Sequence, residues 1–416
     1  MTRLSREEGG RVLALLAARF GAVDLADDAV QDALLQAVST WAEQGVPDNP
    51  AGWLHTVARN KIVDALRRRE AAERRLRAAT VHLGQDQVAG PDLESDPEPE
   101  LIREDRLIGD EQLRLMLLCC HPSLDQDTQV ALTLRLVGGL STAEIAAAFL
   151  LPEATLAQRI VRAKRKIRAA RIPLSVPADL RVRVDALLSA LYLVFNEGYL
   201  SQSMVADGLC RVDLSEEAIR LTALASRLLP QDGEILGLLA LQRFQHARLA
   251  ARVDAAGDLV TLADQDRRLW DAEGISAGRA ALQEAVGCEG LGSYRLQALI
   301  AAIHTSAPSS AETDWRSIVV LYRILERVSP GPVVTLNRAI AVAEVDGASS
   351  VIAEVEAIEG LGDYYLWHAA RGELHLRLGD RVAAHAAFAT ARSLAKNPAE
   401  RRHLDRRVTY TAGKHV

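Results

Sequence analysis

Residues 49–69 read NPAGWLHTVARNKIVDALRRR, a loop signal followed by the pattern of an amphipathic helix. The proline disfavours helical backbone at Asn49, and the Ala-Gly pair predicts a tight loop before Trp53. On a period of 3.6 residues, one face is apolar and the opposite face is largely polar. The apolar face holds Leu54, Ala58, Ile62 and Ala65, and the opposite face holds Thr56, Asn60, Val63 and Arg67. One side of the helix therefore packs, and the other can contact a partner.

Three arginines end this helix, inside a chain whose net charge is -6. Cations in a last helical turn commonly offset the helix dipole, so the arginines alone favour an ordinary surface helix. The order of residues favours a DNA-contacting role for this helix. It resembles the signature of the promoter-melting part of extracytoplasmic function (ECF) sigma factors, which reads the minus-ten element. The residues that carry this resemblance are Trp53, Leu54, Ala58, Asn60, Asp64, Arg67 and Arg68.

The resemblance implies a downstream promoter contact on this helix. A nucleic-acid strand needs a cationic groove and an aromatic surface for stacking, and an extruded base would sit at the Asn49 loop beside Trp53. Trp53 fits a core position at least as well. The residues expected to contact the downstream element are Asn49, Trp53, Thr56, Asn60, Arg67 and Arg68.

The preceding segment, 24–41, predicts a helix with an acidic face. Its packing stripe is Ala26, Val30, Ala33, Leu34 and Ala37, and its second face holds Asp24, Asp28, Gln31, Asp32 and Leu35. An ordinary solvated face is the simplest interpretation. The run D-A-V-Q-D resembles the ECF helix that docks on the clamp helices of the largest RNA polymerase subunit, which makes this second face the expected docking surface.

A second basic helix follows in the segment 140–168, LSTAEIAAAFLLPEATLAQRIVRAKRKIR. Ser141 or Thr142 is expected to cap a short helix, and a turn at Pro152 leads into a longer one whose apolar stripe is Leu156, Ile160, Ala163 and Ile167. Seven basic residues and one acid lie between Glu153 and Arg171. A solvated basic face explains the amphipathic pattern but not the preceding helix and turn, whereas a helix-turn-helix explains both.

This segment is similar to region 4 of ECF sigma factors, which reads the minus-thirty-five element and meets the polymerase flap. Gln158, Arg159 and Arg162 suit base contacts, and Lys164, Lys166 and Arg168 suit phosphate contacts. The residues expected to contact the upstream element are Thr155, Gln158, Arg159, Arg162, Lys164, Arg165 and Lys166.

Between the two basic modules, residues 84–112 carry ten acids, two arginines and three prolines. Low hydrophobicity and high charge predict a flexible linker over 78–110. It either mimics nucleic acid in a channel of the polymerase, as the resemblance implies, or keeps the modules soluble and apart. The predicted modules are 1–77, 111–172 and an extension over 178–416.

The extension resembles that of an ECF subgroup with tetratricopeptide-like helical hairpins. Residues 365–398 span one 34-residue repeat, and residues 250–316 match poorly and suggest inserted hairpins. The run LYLVFNEGY, 191–199, predicts a buried helix interrupted by polar residues. Glu197 has no partner for acid catalysis in this run, so Asn196, Glu197 and Tyr199 are expected in an inter-domain contact.

Composition bounds the remaining possibilities. Apolar residues make up 49% and aromatic residues 4%, which predicts an all-α protein, and the net charge of -6 excludes indiscriminate polyanion binding. Cys119, Cys120, Cys210 and Cys288 lack metal-site spacing and are expected to be small buried hydrophobes. No segment reaches membrane-spanning length. A cytoplasmic protein without catalysis, cofactor or metal is expected.

Two functions from different classes fit these patterns. The first is an alternative sigma factor whose partners are core RNA polymerase and promoter DNA, with a regulatory protein, for which YCII-like proteins are candidates by resemblance, on the repeats. The second is a helix-turn-helix regulator that senses a ligand or peptide and does not bind core polymerase. It leaves 24–40 and 49–69 unexplained. A repeat scaffold with incidental basic helices explains less still.

Overall fold

The computed structural model describes residues 3–80, 104–149, 151–170, 172, 174–175, 179–200, 212–254, 258–395 and 397–413. Within these ranges the chain is all-α, and the bridge between Val253 and Leu259 is not extended into a strand. No helix in the same ranges is long and apolar enough to cross a membrane. The chain forms two compact units, residues 1–190 and 191–416.

The first unit begins with three mutually packed helices around a core of alanines and leucines. They are α1 (Arg3–Phe20), α2 (Val23–Gln44) and α3 (Pro50–Thr80). The apolar stripes predicted for α2 and α3 are confirmed at their centres, since Leu34, Leu54 and Ile62 are each at most 1% exposed. Burial of these stripes fixes which faces of α2 and α3 remain available to partners.

The loop expected at Ala51 and Gly52 is wrong, because α3 already begins at Pro50. Proline suits the first helical position, where its missing N–H would have no partner. The Asn49 side chain accepts a hydrogen bond from the Gly52 amide at 2.9 Å and so caps the helix. A β-carbon at Gly52 would lie 2.6 Å from the Asn49 amide nitrogen, so the glycine leaves room for the cap.

Four helices and one π-helical turn follow in the first unit. They are α4 (Glu104–Cys119), α5 (Gln126–Leu132), the π turn (Thr133–Val137), α6 (Thr142–Ala148) and α7 (Glu153–Ala169). Since α3 reaches residue 80 and α4 begins at 104, the linker predicted over 78–110 is shorter at both ends. Its remainder, 81–103, lies outside the described residues.

Helix α1 joins the two modules, because it packs on α2 and α3 and also on α4 and the π turn. Two adjacent glycines permit these approaches. A β-carbon at Gly9 would meet the Leu34 side chain at 3.2 Å, and one at Gly10 would lie 2.5 Å from the carbonyl oxygen of Val137. Glycine inside a helix costs roughly 1 kcal/mol relative to alanine. Here it allows backbone to approach backbone across the module boundary.

Helix α8 (Leu180–Leu200) begins inside the first unit, which ends at Ala190 rather than at the predicted boundary of 178. The Arg183 guanidinium donates a hydrogen bond to the carbonyl oxygen of Leu117 at 3.0 Å. Leu117 lies in the last turn of α4, where carbonyls lack intrahelical donors. The chain beyond 178 therefore completes the packing of the second module.

The expected interruption of the LYLVFNEGY helix is wrong, since α8 continues through Asn196 and Glu197 to Leu200. Leu191, Val194 and Phe195 are buried on its apolar side, and Gly198 is buried as well. The polar residues therefore lie on a continuous helix and do not break it.

The second unit is a series of helices, and the long connection 247–271 between two of them includes two short 3-10 turns. The helices are α9 (Val212–Leu228), α10 (Gly233–His246), α11 (Ala272–Val286), α12 (Ser293–Ser306), α13 (Trp315–Val328), α14 (Pro332–Asp346), α15 (Ile352–Glu356), α16 (Tyr365–Arg377), α17 (Arg381–Leu394) and α18 (Pro398–Ala412). Residues 250–316, where insertions were expected, include the helices α11 and α12, which pack on each other and on α10.

The repeat predicted over 365–398 is confirmed as a helical hairpin. Gly379 adopts a φ of 82° at the turn, and Asp380 caps α17 by accepting from the Ala383 amide. A β-carbon at Gly372 would lie 2.7 Å from the ring of Phe388, which is 1% exposed. A glycine opposite an aromatic ring sets the close approach of α16 and α17.

Replacing Arg183 by alanine should lower the free energy of unfolding by roughly 1–3 kcal/mol, because the Leu117 carbonyl loses its charged donor in a buried position. Arg181 is the matched control, since its side chain is 58% exposed and its pairing with Asp185 is a solvated one. Urea unfolding followed by circular dichroism measures both variants. Equal losses in Arg183→Ala and Arg181→Ala would contradict the anchoring role of Arg183.

Candidate nucleic-acid interface

Helices α6 and α7 form a helix-turn-helix whose ends are fixed locally. Ser141 and Glu144 form a capping box, with the serine amide donating to the Glu144 carboxylate at 2.7 Å and the Glu144 amide donating to the serine hydroxyl at 3.1 Å. Pro152 holds extended backbone immediately before α7. The predicted apolar stripe is confirmed, since Leu156, Ile160, Ala163 and Ile167 are all buried.

Burial of this stripe turns most of the predicted upstream-element residues towards solvent. Arg159 is half-buried and pairs with Asp127 at 3.2 Å. The Lys166 ammonium donates to the carbonyl oxygen of Ser123. The exposed members of the predicted set are Thr155, Gln158, Arg162, Arg165 and Lys166. The N-terminal turns of α7 thus present an amide and a guanidinium, the groups that read base edges.

The side chain of Lys164 faces α2 instead of solvent. Only 14% of its side chain is exposed, and its ammonium donates a hydrogen bond to the Asp27 carboxylate on α2. Arg168, one turn later, pairs with Asp24. These two cations, expected to meet phosphates, are engaged by acids of the first module.

Helix α3 presents a second polar face. Asn49, Thr56, Asn60, Arg67 and Arg68 are exposed on it. Trp53 is half-buried, and its ring meets Trp41 edge-to-face with centroids 5.5 Å apart. Burial, followed by the charges of Arg19 and Arg59, lowers the pKa of His55, which therefore adds no positive charge at neutral pH. The cationic character of this face comes from its arginines.

The acidic face of α2 is only partly exposed to solvent. Asp28, Asp32 and Leu35 are exposed, with Leu35 at 71%, whereas Asp24 and Gln31 are half-buried. Asp32 lies 3.5 Å from the Lys61 ammonium. A single exposed apolar side chain is common on protein surfaces, so a docking role for this face stays a prediction.

Cys119 and Cys120 are fully buried, as predicted for small hydrophobes. Burial raises the pKa of Cys120 to about 12, so its thiol stays protonated at neutral pH. Cys288 is half-buried, which departs from the expectation, and Cys210 lies outside the described residues. In the described part of the chain, no three His, Cys, Asp or Glu side chains are placed to hold a metal ion.

Asn196 and Glu197 are half-buried on α8, and the side chain of Tyr199 lies outside the described residues. Their assignment to an inter-domain contact stays a prediction.

Comparison with known proteins agrees with this geometry. The family models for sigma-70 region 2 and sigma-70 region 4 match residues 4–72 and 114–167. A family of unknown function, DUF6596, matches residues 183–286. An uncharacterized protein of Rhizobium meliloti (strain 1021) is 42% identical over 404 residues, which cover 95% of this chain and 92% of the relative. The chain belongs to the sigma-70 family. No solved structure matches it.

Region 2 of this sigma factor corresponds to the first module and region 4 to the second. Sigma-70 factors are transcription initiation factors that bind core RNA polymerase and recognise promoter DNA, so the helix-turn-helix is a DNA-binding element. The individual contacts named above stay predictions. What the structure adds is the pairing of region 2 acids with region 4 cations in one unit.

The sequence analysis did not predict a role for Asp27 or Arg135. Asp27 is fully buried on α2, and Arg135 lies 3.5 Å from its carboxylate. The sequence does mark Asp27 as inward-facing, because it shares the apolar stripe of α2 with Val30, Leu34 and Ala37. A charge in such a stripe indicates a buried ion pair. Its partners could not be named, since they lie in the other module.

Replacing Gln158 or Arg162 by alanine should weaken discrimination between cognate and altered upstream elements by roughly 1–3 kcal/mol per lost bidentate contact. The measurement is competition binding of the polymerase holoenzyme at fixed salt. Val161, which is 54% exposed on a neighbouring face of α7, supplies the control Val161→Ala. Full discrimination in both variants would mean that α7 does not read the bases.

The arginines that end α3 should act differently. Arg67→Ala and Arg68→Ala are expected to weaken DNA binding equally for all sequences and to reduce the slope of log affinity against log salt by about 0.9 per lost phosphate contact. Salt titrations of holoenzyme binding measure this slope. Glu70→Ala, on the same exposed turn, is the control and should not reduce it. An unchanged slope in both arginine variants would refute a phosphate contact at the end of α3.

Proposed function

We propose that this sigma factor is an alternative sigma factor of the ECF type, which directs core polymerase to a two-element promoter. The main observation is the exposed polar face of α7, with Gln158 and Arg162 at its N-terminal turns, in a chain that also exposes a basic face on α3. Only residues 81–103 of the sequence lie between the described end of α3 and the start of α4. That short spacing resembles ECF factors rather than primary ones.

The roles follow from chemistry. Helix α7 reads the upstream element, and α3 stabilises the opened downstream element through Thr56, Asn60 and its arginines. Helix α2 docks on the clamp helices of the largest polymerase subunit through Asp28, Asp32 and Leu35, and region 4 meets the flap. The protein supplies binding energy for promoter recognition and opening, whereas the polymerase performs the chemistry. Such a factor acts in the cytoplasm.

The helical extension regulates these modules. Supporting this, Arg183 of the segment that begins the extension donates a hydrogen bond to the carbonyl oxygen of Leu117 in α4. A change in α8 would therefore act on α4, which packs on α5 and on the π turn that precedes the helix-turn-helix. A regulatory protein bound to the second unit is the corresponding partner. Transcription by a chain ending after Leu200, compared with the intact chain, tests the regulatory role without removing Arg183.

The alternative is a helix-turn-helix regulator that never binds core polymerase, and it leaves the resemblance of the α2 face to the ECF docking helix unexplained. Leu35→Asp should lower affinity for core polymerase about tenfold or more, because an exposed apolar contact is lost and a like charge is added. Size-exclusion comigration without DNA and run-off transcription measure the loss. Val382→Asp is the control, since Val382 is 83% exposed on α17 in the other unit.

If the intact chain fails to comigrate with core polymerase, the proposed function as a sigma factor is wrong. The helix-turn-helix regulator is then the better hypothesis. If it comigrates and Leu35→Asp binds as tightly as Val382→Asp does, the docking surface lies elsewhere.

A further inference from the structure

Helix α13 of the second unit presents a row of cations on one exposed face. Successive helical residues lie about 100° apart, so Arg316, Val320, Arg323 and Arg327 fall within about 60° of one another and extend over about 16 Å of the helix. All four side chains are exposed. Within the described part of the chain, no carboxylate forms an ion pair with any of the three arginines. We refer to these four residues as the arginine stripe.

The arginine stripe differs from neighbouring parts of the unit, where arginines are paired. Arg338 on α14 lies 2.9 Å from Glu326 and also pairs with Glu354, and Arg377 on α16 lies 2.6 Å from Glu344. Glu326 is the one acid within α13, and its carboxylate is engaged by α14. The arginine stripe therefore keeps most of its positive charge for a partner.

An apolar groove lies beside the arginine stripe, between α12 and α13. Its volume is about 440 Å³, which is in the range of ligand-binding clefts. Leu299, Ala302 and Ile303 line it from one face of α12, and Leu321 lines it from α13. Leu321 follows Val320 in the chain and lies about 100° further round the helix. The groove therefore adjoins the arginine stripe.

Two carboxylates lie at the end of the groove where α13 begins. Glu312 and Asp314 both line it, and both are exposed. Hydrogen bonds from the Ser317 hydroxyl and amide, with a further contribution from the charge of Arg316, lower the pKa of Asp314, which therefore stays ionised at neutral pH. The site thus has negative charge at one end of an apolar groove and positive charge along its side.

Hydrogen bonds within the protein hold both walls of the groove in place. The Arg267 guanidinium donates to the carbonyl oxygens of His304 at 2.6 Å and Ala307 at 2.7 Å, which satisfies carbonyls at the end of α12. The Asp314 side chain caps α13 by accepting from the Ser317 amide at 3.1 Å. A groove that is formed in advance spares a bound partner the free-energy cost of ordering it.

We propose that the arginine stripe and the adjoining groove bind an acidic amphipathic helix of a partner protein. The apolar side chains of that helix enter the groove, and its carboxylates pair with Arg316, Arg323 and Arg327. The proposal deepens the proposed function, because it rests on the second unit binding a regulatory protein.

The dimensions of the surface fit a helix. Arg323 lies two turns after Arg316, and Arg327 lies one turn after Arg323, so carboxylates at the same intervals on a neighbouring helix meet all three. A helix is roughly 10–12 Å across, which is wide enough to fill the groove and to cover the arginine stripe beside it. Recognition of a helix in a groove uses apolar anchors on one helical face, and Leu299 and Ile303 provide the apolar floor for them.

The same features argue against a nucleic acid as the occupant. Glu312 and Asp314 would repel phosphates that approach Arg316. Single-stranded nucleic acids bind by stacking their bases on aromatic side chains, and none of the described residues that line the groove is aromatic. A strand of phosphates on the arginines would also leave the apolar groove unfilled. An acidic protein segment uses both parts of the site.

Selection from a peptide library tests the chemistry of the partner without assuming its sequence. Random peptides of about 16 residues, long enough for roughly four helical turns, are displayed on phage and selected on the immobilised full chain. Peptides that also bind the double variant Arg316→Glu/Arg323→Glu are removed. We expect the remaining peptides to be rich in aspartate and glutamate, with leucine, isoleucine or phenylalanine at helical spacing.

The affinity of the best selected peptide is then measured by fluorescence anisotropy at fixed salt. Arg323→Glu should weaken binding about tenfold or more, because an ion pair becomes a repulsion between like charges. Ser306→Trp should weaken it by a similar factor, since the indole fills the groove from its exposed rim and leaves the charge unchanged. Arg401→Glu and Ser393→Trp make the same changes at exposed positions on α18 and α17 and should bind as the parent does. Circular dichroism spectra verify that each variant is folded.

The docking surface is refuted if the selection enriches no peptides that are both acidic and apolar, or if it enriches basic ones. Binding of the selected peptide to Arg323→Glu and Ser306→Trp as tightly as to their controls refutes it too. A single-stranded oligonucleotide that binds the parent more tightly than the selected peptide does, and that Arg323→Glu no longer binds, would replace the protein helix by a nucleic acid.

Failure of the proposed function gives a different result. In that case the full chain does not comigrate with core polymerase, or the bound peptide leaves run-off transcription unchanged. The selected peptide would still bind the parent, and Arg323→Glu would still weaken that binding.

Discussion

A buried carboxylate at Asp27 is the constraint on which the first unit depends. Its side chain is 1% exposed, and a lone charge in that position would be prohibitively costly. Lys164 and Arg135 make the position tolerable, and both belong to region 4. Once region 2 folds with Asp27 on its apolar stripe, the nearest way to compensate the charge is to bring region 4 onto α2. The ion pair thus specifies an arrangement more than it adds stability.

Small residues provide the space that this arrangement needs. Gly9 and Gly10 let α1 approach Leu34 on one side and the Val137 carbonyl on the other. In the second unit, Gly372 does the same for the ring of Phe388. In each case a residue that is poor for an isolated helix allows two elements to approach closely. Helix propensity is given up locally, and packing between elements recovers the difference.

The arrangement of the sigma modules separates two kinds of surface. Residues at the N-terminal turns of α7, such as Gln158 and Arg162, stay exposed and retain the chemistry of base recognition. Lys164 and Arg168 are instead committed to region 2. Two of the cations expected to contact phosphates are therefore not available in this arrangement. Because Arg183 ties α8 to the end of α4, the extension is built into the module that it is proposed to regulate.

The sequence by itself determined the all-α class, the burial of Leu156 and Ile160 on α7, a cap at Ser141 or Thr142, the burial of Cys119 and Cys120, and the hairpin over 365–398. Each depends on periodicity, spacing or capping within a few turns of chain. It misplaced the start of α3 because an Asn-Pro-Ala-Gly run was interpreted as a loop, whereas Asn49 caps a helix that begins at Pro50.

Only the tertiary structure decided which charges meet. Asp27 and Lys164 are 137 positions apart, and Arg183 and Leu117 are 66 apart. A helical period marks Asp27 as inward-facing but carries no information about what lies opposite. The partner of a buried charge is fixed by how helices from distant segments pack, because desolvation is relieved by whichever opposite charge that packing brings within reach.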